Sequence, residues 1–394
     1  MKNLHEKDNQ MKTVLVSLVS DQTIPNILAI HHFRPNELLF ITTEKMEKKQ
    51  KTAAIMETLR LLGLDYAENS VQKMVVKEDS ILDCHRKIEE WMTGREDGEF
   101  IVNFTCGTKI MSIAAYEFFK DYGSRMIYIP IPKNEFIVPF PKKSSTHPEP
   151  LPLRLSVPQY LSAYGLKVTN VAKLPEYKRE ASTRSDIATF IVSNYELLKQ
   201  LLSFLGDRLR KYRDYKEYDF CIAFEEATGE ERSFFSLMDI KYDGDNISKK
   251  LTHSEIGFLT GGWLEEFCLN EILKVEGIDD VVIGLKLMNK QGSDNEFDVM
   301  FTKDNSLFVV ECKSLDQNDD KKTDALYKIG ALQKEFGLRV ESFLVTTSPH
   351  VLKDGKLRPA VRSRAEQFNT TVVLQEEVPK LAEKIIERIG RANG

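Results

Sequence analysis

The chain has 394 residues, of which 42% are hydrophobic and 29% are charged, and its formal net charge is -5 at pH 7. This length exceeds that of a usual single domain, and the hydrophobic fraction is sufficient for two cores. The net acidity argues against a surface that coats nucleic acid generally, although a catalytic groove needs only local basic residues. The sequence shows no signal peptide and no run of about 18 apolar residues, so it predicts a cytoplasmic protein without a membrane span.

The cysteines do not suggest a disulfide framework or a metal framework. Their number is odd, and no spacing between them is typical of a zinc site. We therefore expect free thiols in a reducing cytoplasm. The positions are Cys84, Cys106, Cys221, Cys268 and Cys312.

The first 140 residues alternate between apolar strands and amphipathic helices. Strands are predicted near residues 12–19, 37–43, 71–76, 99–104 and 125–131, and helices near 24–32, 50–62, 79–92 and 108–122. This order predicts an α/β fold with a Rossmann-like, doubly wound sheet that is largely parallel. In such a sheet, ligands bind beyond the carboxyl ends of the strands, where the first and fourth strands lie side by side.

Two polar loops follow the first and fourth of these strands, and both lead into helices. They read SDQTIPN at 20–26 and NFTCGTK at 103–109. Backbone N–H groups at a helix N-terminus, with Thr hydroxyls and a Lys, form a cradle for phosphate. Ordinary helix capping is the alternative, but the shared position of the loops at the switch point favours a ligand site. Its candidate residues are Ser20, Asp21, Gln22, Thr23, Asn26, Asn103, Thr105, Gly107, Thr108 and Lys109.

The loops lack the motifs of the common nucleotide-binding folds. No G-x-G-x-x-G follows the first strand and no G-x-x-x-x-G-K-[ST] occurs, which argues against a dinucleotide cofactor and a P-loop NTPase. Thr42, at the end of the second strand, is a further candidate for the pocket. A plain strand-end turn explains that position equally well.

A proline-rich stretch follows the predicted sheet. It predicts a stiff linker over residues 141–180, between a domain at 1–140 and a second region at 181–394. The second region divides into a lead-in at 181–255 and a core at 256–394. The prolines concerned are Pro139, Pro141, Pro148, Pro150, Pro152 and Pro158.

The sequence of the lead-in predicts a helix over residues 187–213 with an apolar stripe on one side, followed by a β-hairpin. The hairpin strands are expected at 219–224 and 233–242, around the turn Thr228-Gly229-Glu230. A basic cluster near the helix end either contacts nucleic acid or forms a solvated face, and the second interpretation is more common. The cluster comprises Arg208, Arg210, Lys211, Arg213 and Lys216.

The core begins with a helix predicted from Trp263 to residue 274. Its apolar residues fall at helical spacing, so a glutamate in the first turn can point over the neighbouring sheet. Acidic residues also favour a first helical turn because of the helix dipole. Spacing alone leaves Glu265 and Glu266 as equal candidates.

The most informative segment is NEFDVMFTKDNSLFVVECK at 295–313. Two apolar runs flank the turn formers Lys303-Asp304-Asn305-Ser306, so the segment predicts a β-hairpin. The period of two places Glu311 and Lys313 on one strand face, with Asp298 across the ladder and Cys312 in the core. Two carboxylates beside a lysine suit Mg²⁺ or Mn²⁺ and phosphodiester hydrolysis. An edge hairpin with a surface ion pair is the alternative.

With these residues in place, the region from residue 261 to 347 resembles the PD-(D/E)XK nuclease superfamily. Asp298 matches the metal-binding Asp of that family, and Glu311 and Lys313 match its E-x-K. The spacing of its Mrr-like members implies Glu265 as the helical carboxylate. The resemblance also implies a core in the order helix, three strands, helix and strand, with the second helix near 322–336. The family's Pro is absent, because Phe297 precedes Asp298.

The loops SDQTIPN and NFTCGTK resemble those of CARF domains in CRISPR-associated effectors, and together with the C-terminal motifs they resemble the CARF-domain PD-(D/E)XK nucleases. That family implies a type III CRISPR ancillary nuclease activated by cyclic tetra-adenylate. It also implies a homodimer in which two CARF domains share one activator pocket.

The sequence therefore predicts a metal-dependent nuclease of DNA or RNA, gated by a cyclic oligoadenylate in antiviral defence. Asp298 and Glu311 would hold Mg²⁺ or Mn²⁺, Lys313 would orient or activate water, and Glu265 would assist. Two alternatives remain: an ungated repair or restriction-type endonuclease, and a non-catalytic nucleotide sensor. The Asp, Glu and Lys set disfavours the sensor.

Overall fold

The structure is a computed structural model that describes residues 12–95, 98–131, 133–141, 147–288, 294–314, 330 and 340–392. The chain divides into two compact units, Met1–Lys167 and Val168–Gly394. Among the described residues, no helix combines the length and the apolar character that crossing a membrane requires.

The N-terminal unit is built on a seven-stranded sheet in the order β3-β2-β1-β4-β5-β6-β7. The first five strands pair in parallel, and β6 and β7 add an antiparallel edge. All five predicted strands are confirmed. The strands are β1 Thr13–Leu18, β2 Glu37–Thr42, β3 Val71–Val75, β4 Glu99–Asn103, β5 Arg125–Tyr128, β6 Glu135–Phe140 and β7 Glu149–Pro150.

The helices of this unit connect the strands as a doubly wound fold requires. The four predicted helices are confirmed, and the short α2 and α6 are additions that the sequence analysis did not predict. The helices are α1 Ile24–Phe33, α2 Glu44–Lys48, α3 Lys51–Leu61, α4 Ile81–Met92, α5 Lys109–Asp121 and α6 Val157–Ala163.

The switch point lies where it was predicted. Strand β1 pairs with β2 on one side and with β4 on the other, with Ser17 opposite Asn103. Because parallel strands end at the same edge of the sheet, the loops after β1 and β4 are neighbours there.

The stretch 141–180 differs from the stiff linker that its prolines predicted. Helix α6 begins at a capping box formed by Ser156 and Gln159, and its Pro158 occupies the first turn. A proline is tolerated at that position because the first N–H groups of a helix have no intrahelical partner. Tyr160 and Leu161 are fully buried, and the N-terminal unit extends to Lys167. Residues 142–146 lie outside the described residues.

The C-terminal unit opens with helices and a three-stranded sheet in the order β8-β10-β9. The long helix predicted over 187–213 is instead two helices that break at Asn194. The elements are α7 Leu174–Thr183, α8 Ser185–Ser193, α9 Tyr195–Leu209, β8 Glu217–Ala223, α10 Gly229–Leu237, β9 Lys241–Tyr242, β10 Asn246–Thr252 and α11 His253–Gly257.

The predicted hairpin strand at 233–242 is wrong, because residues 233–237 belong to α10 and only Lys241–Tyr242 form a strand. Thr228 caps this helix, and Glu231 bonds back to the Thr228 backbone as the second half of a capping box. This Thr-x-x-Glu pattern is typical of a helix start. The residues that follow it form a helix although their composition is typical of a strand. The antiparallel partner of β8 is β10.

The remaining elements form a five-stranded sheet in the order β11-β12-β13-β14-β17. The β11–β12–β13 part is antiparallel and the β13–β14–β17 part is parallel. These strands and the associated elements are α12 Trp263–Leu273, β11 Asp280–Met288, β12 Asp294–Lys303, β13 Ser306–Lys313, β14 Val340–Thr346, β15 Leu352–Lys353, β16 Lys356–Leu357 and β17 Thr370–Leu374.

The helix predicted to residue 274 and the strands predicted near 281–288, 296–302, 307–313 and 339–346 are confirmed within about two residues at each end. The helix predicted near 322–336 lies outside the described residues except for residue 330. Two helices that flank β17, Pro359–Gln367 and Leu381–Ala392, were not predicted. Trp263 on α12 is fully buried in the same core as Phe301 and Phe308, whose rings stack at 4.6 Å.

Candidate active site and ligand-binding loops

The hairpin of β12 and β13 sets the register of the candidate active site. Its turn residues Asp304 and Asn305 both have positive φ, 51° and 57°, which is the geometry of a type I′ turn. From this turn the strands pair as far as Val299 and Val310. Counting one residue further places Asp298 opposite Glu311, as the sequence predicted.

The sheet splits at this point. Beyond Val299, β12 stays paired with β11 as far as Asp294, while β13 stays paired with β14 as far as Lys313. A regular ladder would continue with the Cys312 N–H donating to the Phe297 carbonyl. Instead, the Cys312 N–H donates to Asp298 Oδ2 at 2.7 Å. The carboxylate thus takes the place of a ladder bond at the opening between the strands.

Glu311 and Lys313 lie on one face of β13, as the strand period predicted. Glu311 is 3% exposed, and Lys313 Nζ donates to its Oε1 at 2.9 Å. Cys312 points the other way into the core, with its Sγ 3.6 Å from Cys268 Sγ. Burial lowers the pKa of Lys313, but the charges of Glu311 and Asp298 outweigh it, so its pKa lies well above the usual range. Lys313 is therefore a cation at neutral pH.

The structure distinguishes Glu265 from Glu266, which spacing alone left as equal candidates for the site. Glu266 is buried in an ion pair with Arg184, whose Nε donates to Glu266 Oε2 at 2.9 Å. Glu265 is half-buried and lies in the field of Asp298 and Glu311. Burial and the negative charge of Asp298 hold the pKa of Glu265 well above its usual range. Of the two glutamates, Glu265 is therefore the one whose charge interacts with the carboxylates of the strand opening.

The sequence analysis missed Glu296 as a member of this group. It lies two residues before Asp298, on the same face of β12, and its charge also raises the pKa of Glu265. Lys286 Nζ on β11 is 3.5 Å from Glu296 Oε2. The signal was present in the alternation of Glu296, Phe297 and Asp298, which puts both acids on one face.

The entry to α12 is fixed by a glycine. Gly261 has φ 130°, and a Cβ placed there would lie 2.7 Å from Ser314 Oγ. Ser314 Oγ donates to the Gly261 carbonyl at 2.8 Å. Because Ser314 follows Lys313, this contact ties the end of β13 to the start of the helix that carries Glu265.

At the other candidate site, two buried asparagines join the loops of the N-terminal unit. Asn26 Nδ2 donates to the Leu18 carbonyl at 3.0 Å, and Asn103 Nδ2 donates to Asn26 Oδ1 at 3.1 Å. Asn103 Oδ1 in turn accepts the backbone N–H of Thr105 at 3.2 Å and its hydroxyl at 2.6 Å. The two loops predicted to meet do so, through side chains that are fully buried.

Four of the predicted ligand-binding residues therefore point inward, namely Thr23, Asn26, Thr42 and Asn103. Thr23 donates its hydroxyl to the Ala163 carbonyl on α6 at 2.5 Å, in place of capping α1. Polar side chains enclosed in this way hold the shape of the loops. The accessible surface of the candidate site is therefore formed by the other candidate residues.

The remaining candidates reach the surface at the carboxyl ends of β1 and β4. Lys109 is exposed at the start of α5, and Thr108 caps that helix by accepting the Met111 N–H at 3.2 Å. Gly107 has φ 81°, and a Cβ there would lie 3.0 Å from Leu18 Cβ, so the close approach of the loop to β1 requires glycine. The others that reach the surface are Ser20, Asp21, Gln22 and Thr105.

Two neighbours of the loops, and Cys106 within the second loop, were not predicted as part of the site. Lys49 Nζ lies 2.7 Å from Asp21 Oδ1, and the Tyr164 hydroxyl donates to Gln22 Oε1 at 3.0 Å. Cys106 Sγ donates to the Gln22 carbonyl at 3.1 Å, and burial raises the pKa of that thiol to about 12. Lys49 and Tyr164 are distant in sequence from both loops, which is why no local pattern indicated them.

The fold and the two sites define an α/β protein that joins a Rossmann-like ligand-binding domain to a nuclease-like domain. The family model of the Card1 CARF domain matches residues 14–160, and that of the Card1-like endonuclease domain matches residues 253–392. The chain therefore joins a Card1-type CARF domain to a Card1-like endonuclease domain. No curated protein sequence matches it.

Two solved structures share the fold over nearly the whole chain. Protein VC1899 from Vibrio cholerae is 17% identical with a TM-score of 0.76, and the match covers 96% of this chain and 98% of that one. Can2 from Sulfobacillus thermosulfidooxidans, solved in complex with cyclic tetra-adenylate, is 19% identical with a TM-score of 0.70, and the match covers 94% and 98%. These likenesses establish a shared fold.

The glycine at the entry to α12 yields a prediction with a close control. Gly261→Ala forces a Cβ into positive φ and against Ser314, at a cost of about 1 to 3 kcal/mol. The control Gly257→Ala lies four residues earlier, at the end of α11, where the backbone φ is negative and an added Cβ meets no atom within 4 Å. Urea unfolding should show a loss of stability for Gly261→Ala only. Equal midpoints for the two variants would contradict this role of Gly261.

Proposed function

We propose that this protein is a metal-dependent endonuclease that hydrolyses phosphodiester bonds of DNA or RNA and is activated by a cyclic oligoadenylate. The observation that supports it most is the strand opening, where Asp298 lies opposite Glu311, Lys313 pairs with Glu311, and Glu265 interacts electrostatically with both carboxylates. The family models of an endonuclease domain and of a CARF domain match residues 253–392 and residues 14–160, respectively. Cyclic tetra-adenylate, the ligand in the Can2 structure, is the activator we propose.

The donor set fits Mg²⁺ or Mn²⁺. Within the part of the chain that the structure describes, no three His, Cys, Asp or Glu side chains are gathered closely enough to hold a metal. Asp298 and Glu311 supply hard oxygen atoms, and the Cys312 carbonyl, which directly follows Glu311 in the chain, would offer a further one. Burial, together with the negative charges of Asp298 and Glu296, raises the pKa of Glu265, and a cation at the opening would offset those charges. When bound, the metal would lower the pKa of a water molecule and neutralise developing charge on phosphate.

The side chains of this chain would perform the remaining tasks. Lys313 is protonated, so it would orient the attacking water and attract the phosphate rather than accept a proton. Glu311 holds Lys313 Nζ in place at 2.9 Å. Glu265, on the helix that packs beside the opening, would assist through the metal or through water.

The activator would bind at the joined loops of the N-terminal unit. Lys109, the Thr108 cap and the first N–H groups of α5 offer positive charge and donors to phosphate. We propose a homodimer in which two such surfaces face one activator, since a cyclic ligand with repeated phosphates matches a two-fold pocket. Activation then requires tighter binding to the active arrangement of the dimer than to the resting one.

The active-site assignment predicts that Glu311→Ala and Lys313→Ala abolish cleavage and leave activator binding intact. Asp298→Asn should be equally inactive, because it retains an acceptor for the Cys312 N–H but loses the charge that a cation needs. The measurement is cleavage of labelled DNA and RNA with Mn²⁺ and cyclic tetra-adenylate, beside calorimetric binding of the activator.

The matched controls are Glu196→Ala and Lys199→Ala, which remove an exposed glutamate and lysine paired at 2.6 Å on α9. Both controls should cleave normally. Full cleavage by the Glu311 and Lys313 variants would overturn the assignment, and equal activity without activator would favour the ungated alternative.

The proposed activator site predicts that Lys109→Ala raises the activator concentration needed for half-maximal cleavage. Loss of one charge-assisted phosphate contact costs roughly 1.5 to 3 kcal/mol, or about tenfold to a hundredfold in affinity. Lys120→Ala, at the last turn of the same helix, is the control and should leave the curve unchanged. The metal requirement should not change in either variant. If the Lys109 and Lys120 curves coincide, Lys109 does not contact the activator.

A further inference from the structure

The first residues of the C-terminal unit add a short stretch of backbone to the outer side of β11, which is an edge strand of the five-stranded sheet. Val168 forms an isolated antiparallel bridge with Leu287, and the Thr169 N–H donates to the Lys286 carbonyl at 2.9 Å. We call residues 168–170 the edge segment. The chain thus binds β11 as soon as it leaves the N-terminal unit, which ends one residue earlier.

Asn170 completes the edge segment with its side chain. Its Nδ2 donates to the Gly284 carbonyl at 2.8 Å, and its Oδ1 accepts the Lys286 N–H at 2.9 Å. Its own carbonyl accepts the Lys173 N–H at 2.9 Å, where the chain turns towards α7. One amide side chain therefore pairs an acceptor and a donor on the outer side of β11, as a neighbouring strand would.

The part of β11 that the edge segment binds lies across the ladder from the acids of β12. The register pairs Lys286 with Glu296, and two residues along it places Gly284 opposite Asp298. Beyond Val299, β12 parts from β13 and remains paired with β11. Because β11 is the strand that supports β12 at the opening, the position of Asp298 depends on β11.

Gly284 makes this support irregular. Its φ of 65° departs from strand geometry, so β11 is distorted at the position that faces the opening. A Cβ there would lie 3.3 Å from Tyr177 Cδ2, so the Tyr177 ring of α7 closes one side of the glycine. The bond from Asn170 and the packing of α7 together maintain a backbone conformation that a regular strand does not adopt.

We infer that Asn170 is a positioning residue for the metal site. By holding Gly284 and Lys286, it fixes the segment of β11 against which β12 presents Asp298. A metal ion requires its ligands in a defined geometry, and the residues that orient ligands contribute to affinity without touching the metal. This inference rests on the proposed function, and it names a residue through which the chain that follows the N-terminal unit acts on that site.

The test compares the full chain with Asn170→Ala by calorimetric titration with Mn²⁺ and by hydrogen exchange of the metal-free proteins, followed by mass spectrometry. Asn170→Ala should bind Mn²⁺ about tenfold more weakly, the lower end of the range for residues that support metal ligands. Its backbone amides in β11 and in β12 should exchange faster than those of the parent. The control Asn194→Ala removes an asparagine that also bonds a backbone carbonyl, that of Phe190 at 2.9 Å, and should change neither measurement.

A pair of glycine variants tests the same position independently. Gly284→Ala places a Cβ against Tyr177 and should also bind Mn²⁺ about tenfold more weakly. Gly355→Ala is the matched control, because Gly355 has a similar φ of 71° but is exposed between β15 and β16, and an added Cβ meets no atom within 4 Å. It should bind Mn²⁺ as the parent does.

The two readouts separate this inference from the proposed function. If Asn170→Ala loses thermal stability but binds Mn²⁺ as tightly as the parent, Asn170 serves only the fold and the inference is overturned. If the parent itself binds no Mn²⁺, the proposed function fails, and exchange in β12 then decides whether Asn170 positions that strand. Faster exchange in Asn170→Ala than in Asn194→Ala supports the inference, and equal exchange overturns it.

Discussion

The hydrogen bond from the Cys312 backbone N–H to the Asp298 carboxylate is the interaction on which the C-terminal site depends. It occupies a donor that a regular ladder would pair with the neighbouring strand, so β12 and β13 part without leaving that buried N–H unsatisfied. A bond of this kind, with a charged acceptor, contributes roughly 1.5 to 3 kcal/mol. The opening it stabilises is where Glu311, Lys313 and Glu265 meet.

The arrangement of charge around this opening is costly for stability and informative about function. Glu311 is buried with Lys313 as its partner. Glu265 lies among like charges, on the helix whose start is joined to the end of β13 by the hydrogen bond between Ser314 and Gly261. Replacing such groups with apolar side chains often leaves stability unchanged or improves it. A carboxyl of raised pKa beside a protonated lysine is, however, typical of functional sites. Glu266, one residue away, is instead neutralised by Arg184 and serves the packing of the lead-in helices.

The sequence predicted most of the strands and turns that position the sites, because these depend on residues that are neighbours in the chain. The period of two placed Glu311 and Lys313 together, and the turn at Asp304 and Asn305 set the register with Asp298. The capping box at Thr228 was equally local, yet the strand-like composition of the following residues obscured it. Contacts between distant segments could not be predicted: Asn26 with Asn103, Glu266 with Arg184, and α6 built into the N-terminal unit. Such contacts depend on which segments the fold brings together, and no local sequence pattern indicates that.

The most direct measurement is a calorimetric titration of the full chain with Mn²⁺, in parallel with Asp298→Asn and with Asp121→Asn, an exposed control at the end of α5. If the carboxylates at the strand opening hold a cation, the parent and the control should bind Mn²⁺ and gain thermal stability from it, while Asp298→Asn should do neither. Equal Mn²⁺ affinity in the parent and in Asp298→Asn would contradict the metal-dependent site at this opening.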